Sequence, residues 1–316
     1  MITLLKWEHT LKTFSQNYNS RRKNHNYYQK KIPDHLTDAI ISGKSFLLSC
    51  HRNPDGDAIG SMMAMALALI AMNKEVTIYN VSPIPYNFYF LPETHLCSQS
   101  ILADKTFDIA MSFDSPLAFM MGEEFLNASS NAQLLNVDHH INNELYGTYN
   151  WIDTEASAVG VMVYKILRKL DVDLNLDMAS CIYCSIITDT GSFRYGSTNE
   201  EAMRVAGKLL SIGVDPWYMA KNIYESHPIE RLTLMADTMK TLTISAENRV
   251  ATLTINHSTF MKNKGDLSLI DGIINFPRSI RGIEIAILFY EFQPGMVGIS
   301  IRSKGNVNVT EIGKLL

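Results

Sequence analysis

His51-Arg-Asn-Pro-Asp-Gly-Asp-Ala-Ile-Gly60 is the stretch on which the reading of this chain turns. A strand-like apolar run, Phe46-Leu-Leu-Ser-Cys50, leads into it, and a helix-like apolar run, Ala64 to Met72, leads out. His51, Asp55 and Asp57 therefore stand on one turn at the end of a strand. Pro54-Asp55-Gly56 forces that turn, because Pro fixes φ and Gly accepts positive φ. Asp55 and Asp57 can both face one centre, where their charges repel unless a cation or proton separates them. A calcium loop of the helix-loop-helix kind would need further oxygen ligands at alternate positions and a closing Glu, and Ile59 and Ser61 do not fit. An isolated Asp-Gly-Asp reads most simply as a polar loop with an Asx turn. The case for a metal comes from downstream.

The chain has 316 residues, of which 46% are hydrophobic and 19% charged, the balance of an ordinary globular protein of about two domains. The net charge of −4 is unevenly spread. Residues 1–35 carry 7 basic against 2 acidic side chains, residues 36–239 carry 12 against 24, and residues 240–316 carry 9 against 6. An acidic middle repels long duplex nucleic acid, which needs a basic stripe, and attracts divalent cations. Cys181 and Cys184 lie three apart in an apolar helical run and read as core thiols rather than a redox pair. With Cys50 and Cys97 they make up the four cysteines, too few for a disulfide framework and in keeping with a reducing cytoplasm. The first 30 residues lack the apolar core of a signal peptide, and the longest apolar run is too short to span a bilayer, so no membrane partner is expected.

Residues 1–35 read as an N-terminal extension, with a short helix from His35 to Ser42. Next, strand patterns at Phe46–Cys50, Glu75–Tyr79, Phe107–Phe113 and Gln133–Val137 alternate with helical patterns at Ala58–Met72, Pro116–Leu126, Ala156–Leu170 and Asp177–Ile187. Short apolar strands between helices predict an α/β domain, 36–199, with a parallel sheet and helices on both faces. Residues 200–241 read as a helical linker, and 242–316 as a smaller α+β domain of strands and hairpins. Ligands of parallel sheets gather at the carboxyl ends of the strands. His51, Asp114 and Asp138-His139-His140 all follow strand patterns directly, and Asp189 follows a buried apolar helix.

The candidate ligands are His51, Asp55, Asp57, Asp114, His139 and Asp189, with His140 beside them. Carboxylate with imidazole and no cysteine suits Mn²⁺, Fe²⁺ or Zn²⁺. Four carboxylates in one cleft would be balanced by two divalent ions and strongly destabilising without them. Two ions about 3.5–4 Å apart would activate a bridging water and clamp an in-line displacement at phosphorus. Each piece has a plainer reading: Asp114-Ser115-Pro116 as an N-cap, Asp189-Thr-Gly191 as a helix-end turn. Adjacent histidines after a strand have no routine packing role.

These motifs resemble a family. His51-x-Asn-Pro-Asp-Gly-Asp-Ala-x-Gly60, Phe113-Asp114, Val137-Asp-His-His-x-Asn142 and Thr188-Asp-Thr-Gly-Ser-Phe-Arg194 are similar to the four motifs of the DHH phosphoesterases. Arg302-Ser-Lys-Gly305 is similar to the substrate-binding signature of the accompanying DHHA1 domain. The likeness covers residues 45–316 and is greatest to the nano-RNase type. Those enzymes degrade very short oligonucleotides from an end and remove the 3′-phosphate of 3′-phosphoadenosine 5′-phosphate. The resemblance implies that His51, Asp55 and Asp114 hold one ion, and that Asp57, Asp114, His139 and Asp189 hold the other, with Mn²⁺ the expected metal. Asp138 would orient a ligand imidazole from behind. His140 would serve with Asp114 as a catalytic residue, touching the scissile phosphate. Asn53 is a turn former or a supporting donor. Arg302, Ser303, Lys304 and Gly305 would bind substrate. The family usually continues with a helix and a Gly-rich loop bearing a His. Here the sequence ends within that helix, at Val309–Leu316, so the substrate domain reads as C-terminally incomplete.

The expected activity is hydrolysis of short oligoribonucleotides, or of 3′-phosphoadenosine 5′-phosphate, by a bridging hydroxide on a dinuclear centre. Rival readings are a cyclic- or linear-dinucleotide phosphodiesterase, a manganese pyrophosphatase or exopolyphosphatase, and a non-catalytic nucleotide-binding module. Arg302-Ser-Lys304 matches the basic cluster of the pyrophosphatases poorly, and a binding module would be marked by loss of a ligand, of which none is lost. A homodimer is compatible with the sequence.

Overall fold

The computed structural model describes residues 31–304, 307 and 309. Most of the expected N-terminal extension, Gly305 and the tail after residue 309 lie outside them. The described residues form two compact units, divided in sequence between Ser226 and His227.

The first unit is built on six strands: β1 (Ser45–Cys50), β2 (Glu75–Tyr79), β3 (Cys97–Ser98), β4 (Ile109–Phe113), β5 (Gln133–Asp138) and β6 (Tyr149–Ile152). All neighbours are parallel, in the order β3-β2-β1-β4-β5-β6. Such a sheet is buried on both faces, which explains its near-continuous apolar strands. Phe46, Leu48, Ile109, Met111, Leu135 and Val137 enter one core, whereas Leu47 and Ala110 enter a smaller one on the opposite face. The order reverses between β1 and β4, the place where sheets of this kind open a crevice.

Among the described residues seven helices accompany the sheet: α1 (Asp34–Ser42), α2 (Gly56–Ala71), α3 (Glu123–Ala128), α4 (Val159–Lys169), α5 (Leu176–Asp189), α6 (Glu200–Ile212) and α7 (Pro216–Tyr224). Residues of all but α3 contribute to the larger core, and Phe125 of α3 lies in the smaller one. α2 is buried at 13 of its 16 positions, so it is wrapped on all sides rather than amphipathic. Small residues let its neighbours come close. A Cβ on Gly60 would run into the carbonyl oxygen of Cys181 in α5, and a Cβ on Gly160 in α4 would run into Ser185 Oγ. Cys181 and Cys184 are buried and free, packed in this helical layer.

Two local expectations change. The helix anticipated over Pro116–Leu126 is a 3-10 turn at Ala118–Met121 followed by α3, because Gly122 between them adopts φ 86°. β6 was hidden by its brevity and its mixed Tyr-Asn-Trp-Ile composition.

The second unit contains α8 (Ile229–Met239), β7 (Thr243–Ser245), β8 (Val250–Ile255), α9 (His257–Lys262), α10 (Asn275–Ser279), β9 (Ile285–Gln293) and β10 (Met296–Ser303). Its sheet runs β10-β9-β8-β7, with β8 and β9 parallel and the outer pairs antiparallel. Pro294-Gly295 makes the β9–β10 hairpin turn, Gly295 at φ 77°. α9 was not expected from the sequence; Asn256 caps it by accepting from Thr259 N at 2.8 Å. Among the described residues no helix is long and apolar enough to cross a membrane.

The close α2–α5 contact is testable. Gly60→Ala should destabilise the protein by about 1–3 kcal/mol despite the better helix propensity of Ala, read as a fall in thermal midpoint. An unchanged midpoint would show that the helices separate freely.

Candidate metal centre

Strand register brings the first residues of the site to one level. Cys50 pairs with Phe113, and Phe113 with Val137. The residues that follow, His51, Asp114 and Asp138, therefore emerge side by side from three adjacent strands about 4.8 Å apart. Asp114 leaves its strand in the left-handed region, φ 52°, with its N–H donating to Val137 O at 3.1 Å. That conformation is uncommon for a residue with a side chain and costs on the order of 1 kcal/mol or more. Asn53 is also left-handed, φ 51°, and its N–H donates to Ser82 Oγ at 3.0 Å, so it shapes the turn between His51 and Asp55. Asp55 caps α2, accepting from Asp57 N and Ala58 N.

Asp57 lies in the first turn of α2 and is almost fully buried. Its Oδ1 accepts from Ser61 Oγ at 3.1 Å, Ser185 Oγ at 2.5 Å and Gly160 N at 3.2 Å. Its Oδ2 accepts from Val159 N at 2.9 Å. Asp57 of α2 thus caps α4, whose own N-cap residue, Ala158, has no side-chain acceptor. Asp189 closes the set from the last turn of α5.

The six expected ligands converge in two groups that meet at Asp114. On one side, His51 Nε2 is 3.6 Å from Asp114 Oδ2 and 3.9 Å from Asp55 Oδ1. On the other, His139 Nε2 is 3.5 Å from Asp114 Oδ1, 3.7 Å from Asp57 Oδ2 and 3.8 Å from Asp189 Oδ2. Within each of the sets His51/Asp55/Asp114, Asp57/His139/Asp189 and Asp114/His139/His140, the potential ligand atoms lie within 4.8 Å of one another. The imidazoles are aimed by their far nitrogens: His51 Nδ1 donates to Arg52 O at 2.8 Å, and His139 Nδ1 to Ala156 O at 3.0 Å, leaving both Nε2 atoms toward the centre. Asp114 Oδ1 is buried and no donor among the described residues makes a hydrogen bond to it. A buried carboxylate oxygen left this way is costly in a metal-free protein and is an open ligand position for a cation. The donors are oxygen and imidazole nitrogen, a set that suits a divalent ion.

Protons hold the charge in the absence of metal. Burial opposes charge on His51 and His139, but the carboxylates around them prevail and raise both to about 10. Burial likewise opposes the Asp114 charge, and contact with His51 and the charges of the two other histidines outweigh it, so Asp114 is held well below the usual carboxylate range. Asp57 is pushed upward by burial and by the charges of Asp114 and Asp189. Asp189 is raised to about 7, burial first and Asp114 and Asp55 after it.

Residues 45–186 match the family described as DHH family, N-terminal domain. That segment is a DHH domain. The chain is 26% identical to the bifunctional oligoribonuclease and PAP phosphatase NrnA of Thermus thermophilus, over 84% of this chain and 78% of the relative. It is 27% identical to the NrnA of Bacillus subtilis, over 83% and 82%. Its fold is similar to the crystal structure of an exopolyphosphatase-related protein from Bacteroides fragilis, with a TM-score of 0.78, 23% identity, and 87% and 85% coverage.

The Asp138-His139-His140 run of the DHH domain divides its labour. Asp138, fully buried, accepts from His139 N at 2.8 Å and binds His140 Nδ1 at 2.8 Å. It therefore orients the second histidine's ring and only the backbone of the first. Asn143, rather than the Asn142 quoted in the motif, donates to Asp138 Oδ2 at 2.6 Å. Ser61, Ser185 and Asn143 were not singled out from sequence. Helical spacing is the signal for two of them: Ser61 lies four after Asp57, and Ser185 four before Asp189. Arg302, Ser303 and Lys304 lie at the end of β10 in the second unit, where Lys304 Nζ donates to Ile280 O and Ser303 Oγ to Val307 O.

Because the metal-free site carries protons on His51 and His139, loading it must release them. Divalent-ion affinity should rise with pH from 6 to 9, by about tenfold per unit for each proton displaced. Calorimetric titrations in buffers of different ionisation enthalpy would check it; a flat affinity would mean that these imidazoles are not displaced.

Proposed function

We propose that this protein is a metal-dependent phosphoesterase that hydrolyses short oligoribonucleotides to mononucleotides and converts 3′-phosphoadenosine 5′-phosphate to AMP and phosphate. The observation that carries the reading is the shared Asp114, whose Oδ2 faces His51 and whose Oδ1, buried without a hydrogen bond among the described residues, faces His139. The activities named for the Thermus and Bacillus relatives support the choice of substrates.

Two Mn²⁺ ions on the six side chains would supply Lewis-acid charge for the phosphoryl oxygens and for water activation. His51, Asp55, Asp57, His139 and Asp189 serve as ligands, and Asp114 as the ligand common to both ions. His140 has a different task. Its ring is the more exposed of the histidine pair and is held edge-on to His139, with centroids 4.9 Å apart. Burial opposes its charge, and the bond to Asp138 with the charge of Asp114 overcomes this and raises it to about 9. A protonated imidazole on the rim places a donor beside the scissile phosphate. Arg302, Ser303 and Lys304, with Gly305, are assigned to a substrate phosphate, for which Arg is suited by its bidentate geometry.

The protein prepared with Mn²⁺ should carry about two ions per chain and release mononucleotides from a dinucleotide, and chelation should stop it. Asp114→Asn should lower kcat/KM by more than about hundredfold. Asn143→Ala, which removes the donor to Asp138 together with the bonds to Ser115 O, Asn136 and Leu145 N, should lower it by about tenfold to hundredfold. Absence of mononucleotide from every short substrate tried would overturn the proposal.

A further inference from the structure

Past β2 the chain runs from Asn80 into two 3-10 turns, Tyr86–Phe88 and Thr94–Leu96, before β3. A pocket of about 330 Å³ opens there, walled by Ser82, Ile84, Tyr89, His95, Cys97 and Gln99. None of these belongs to the candidate metal ligands, yet one wall is tied to the turn that carries them. Ser82 Oγ accepts from Asn53 N at 3.0 Å. Asn80, fully buried, donates from Nδ2 to His51 O at 3.3 Å and to Cys50 Sγ at 3.0 Å, while its Oδ1 accepts from Ser82 N at 3.2 Å. The pocket and the metal turn are therefore held in a fixed relation by two short side chains.

The lining selects the chemistry of the occupant. Among the described residues it holds no Lys or Arg, so it offers nothing to draw a phosphate. His95 is paired with Glu93 at 3.6 Å. Burial raises the Cys97 thiol to about 12, which keeps that wall neutral. Tyr89 presents an aromatic ring that is 61% exposed, beside the apolar surface of Ile84. Gln99 and Ser82 add amide and hydroxyl groups. A flat uncharged ring with hydrogen-bonding edges fits these walls, and the volume lies at the small end of ligand sites. The support is preformed. Thr94 Oγ1 donates to Tyr89 O at 3.3 Å and Leu91 O at 3.2 Å, and Phe90 packs edge-on against Tyr218 of α7 at 5.8 Å.

We propose that this pocket is a base subsite, in which one nucleobase of the oligonucleotide stacks on Tyr89 while the scissile phosphodiester lies at the metal centre. The proposal rests on the phosphoesterase reading above and adds to it the element that grips a base rather than a phosphate. A free mononucleotide presents the same ring, so the test must separate a substrate subsite from a separate regulatory one.

Steady-state kinetics on the full chain with Mn²⁺ would use an intact dinucleotide and two analogues, each lacking one base. Tyr89→Ala should raise KM for the intact dinucleotide about tenfold with kcat within twofold, and Tyr89→Phe should restore it. One of the two abasic analogues should show the same rise in KM with the wild type and no further rise with Tyr89→Ala. AMP should inhibit competitively, and Tyr89→Ala should weaken that inhibition. An unchanged KM in Tyr89→Ala, equal penalties on both abasic analogues in both proteins, or non-competitive AMP inhibition would overturn the subsite. If the wild type cleaves none of the three substrates, the phosphoesterase reading fails instead. AMP titration followed by tyrosine fluorescence then decides the pocket, and equal affinity of wild type and Tyr89→Ala refutes it. Gln99→Ala, on the surface, gives a second variant should Tyr89→Ala fold poorly.

Discussion

One carboxylate joins three helices and the candidate metal centre. Asp57 starts in the first turn of α2, caps α4 through Val159 N and Gly160 N, and takes a hydroxyl from Ser185 of α5. The oxygen that takes the Val159 amide also faces His139 at 3.7 Å. A helix N-terminus favours an anion and a buried site penalises one, so the same group is both needed by the packing and charged at some expense. The close approach that makes this possible depends on Gly60 and Gly160, where any side chain would meet α5. Packing and chemistry are therefore set by one constraint, the space around a buried carboxylate.

The cluster as a whole lives with opposing demands. Four carboxylates and three imidazoles crowd the ends of β1, β4 and β5, and Asp114 sits among them with a left-handed backbone. Such an arrangement persists only where the surrounding structure over-determines it. Here the register of three parallel strands supplies that determination, with the N–H of Asp114 anchored on Val137 O.

Much of this was readable from the chain. The strand-turn-helix around His51–Gly60 could be read because apolar runs of strand and helix length flank a Pro-Asp-Gly turn. The parallel sheet followed from short apolar strands between helices. The convergence of His51, Asp114 and Asp138 could be expected from their position after such strands, but their common level depends on register, which no local pattern encodes. The helix anticipated at Pro116 failed because Gly122 adopts a positive φ. Ser61 and Ser185 stand at helical spacing from Asp57 and Asp189, but their meeting on one carboxylate depends on how α2 packs against α5, which no local pattern encodes. Asn143 was missed for a related reason: two consecutive asparagines differ only in the direction a loop gives them.

The two halves of the centre differ in how they meet solvent. The Asp55 side chain is 52% exposed, whereas that of Asp57 is 1% exposed. Asp55 sits at the open end of α2, a helix enclosed by its neighbours and unable to shift alone. On the Asp57 side it is the Asp189 carboxylate, in the last turn of α5 and 32% exposed, that reaches solvent. Each group therefore keeps one carboxylate at its outer edge, at the start of one helix and the end of another, with its remaining donors fixed behind it.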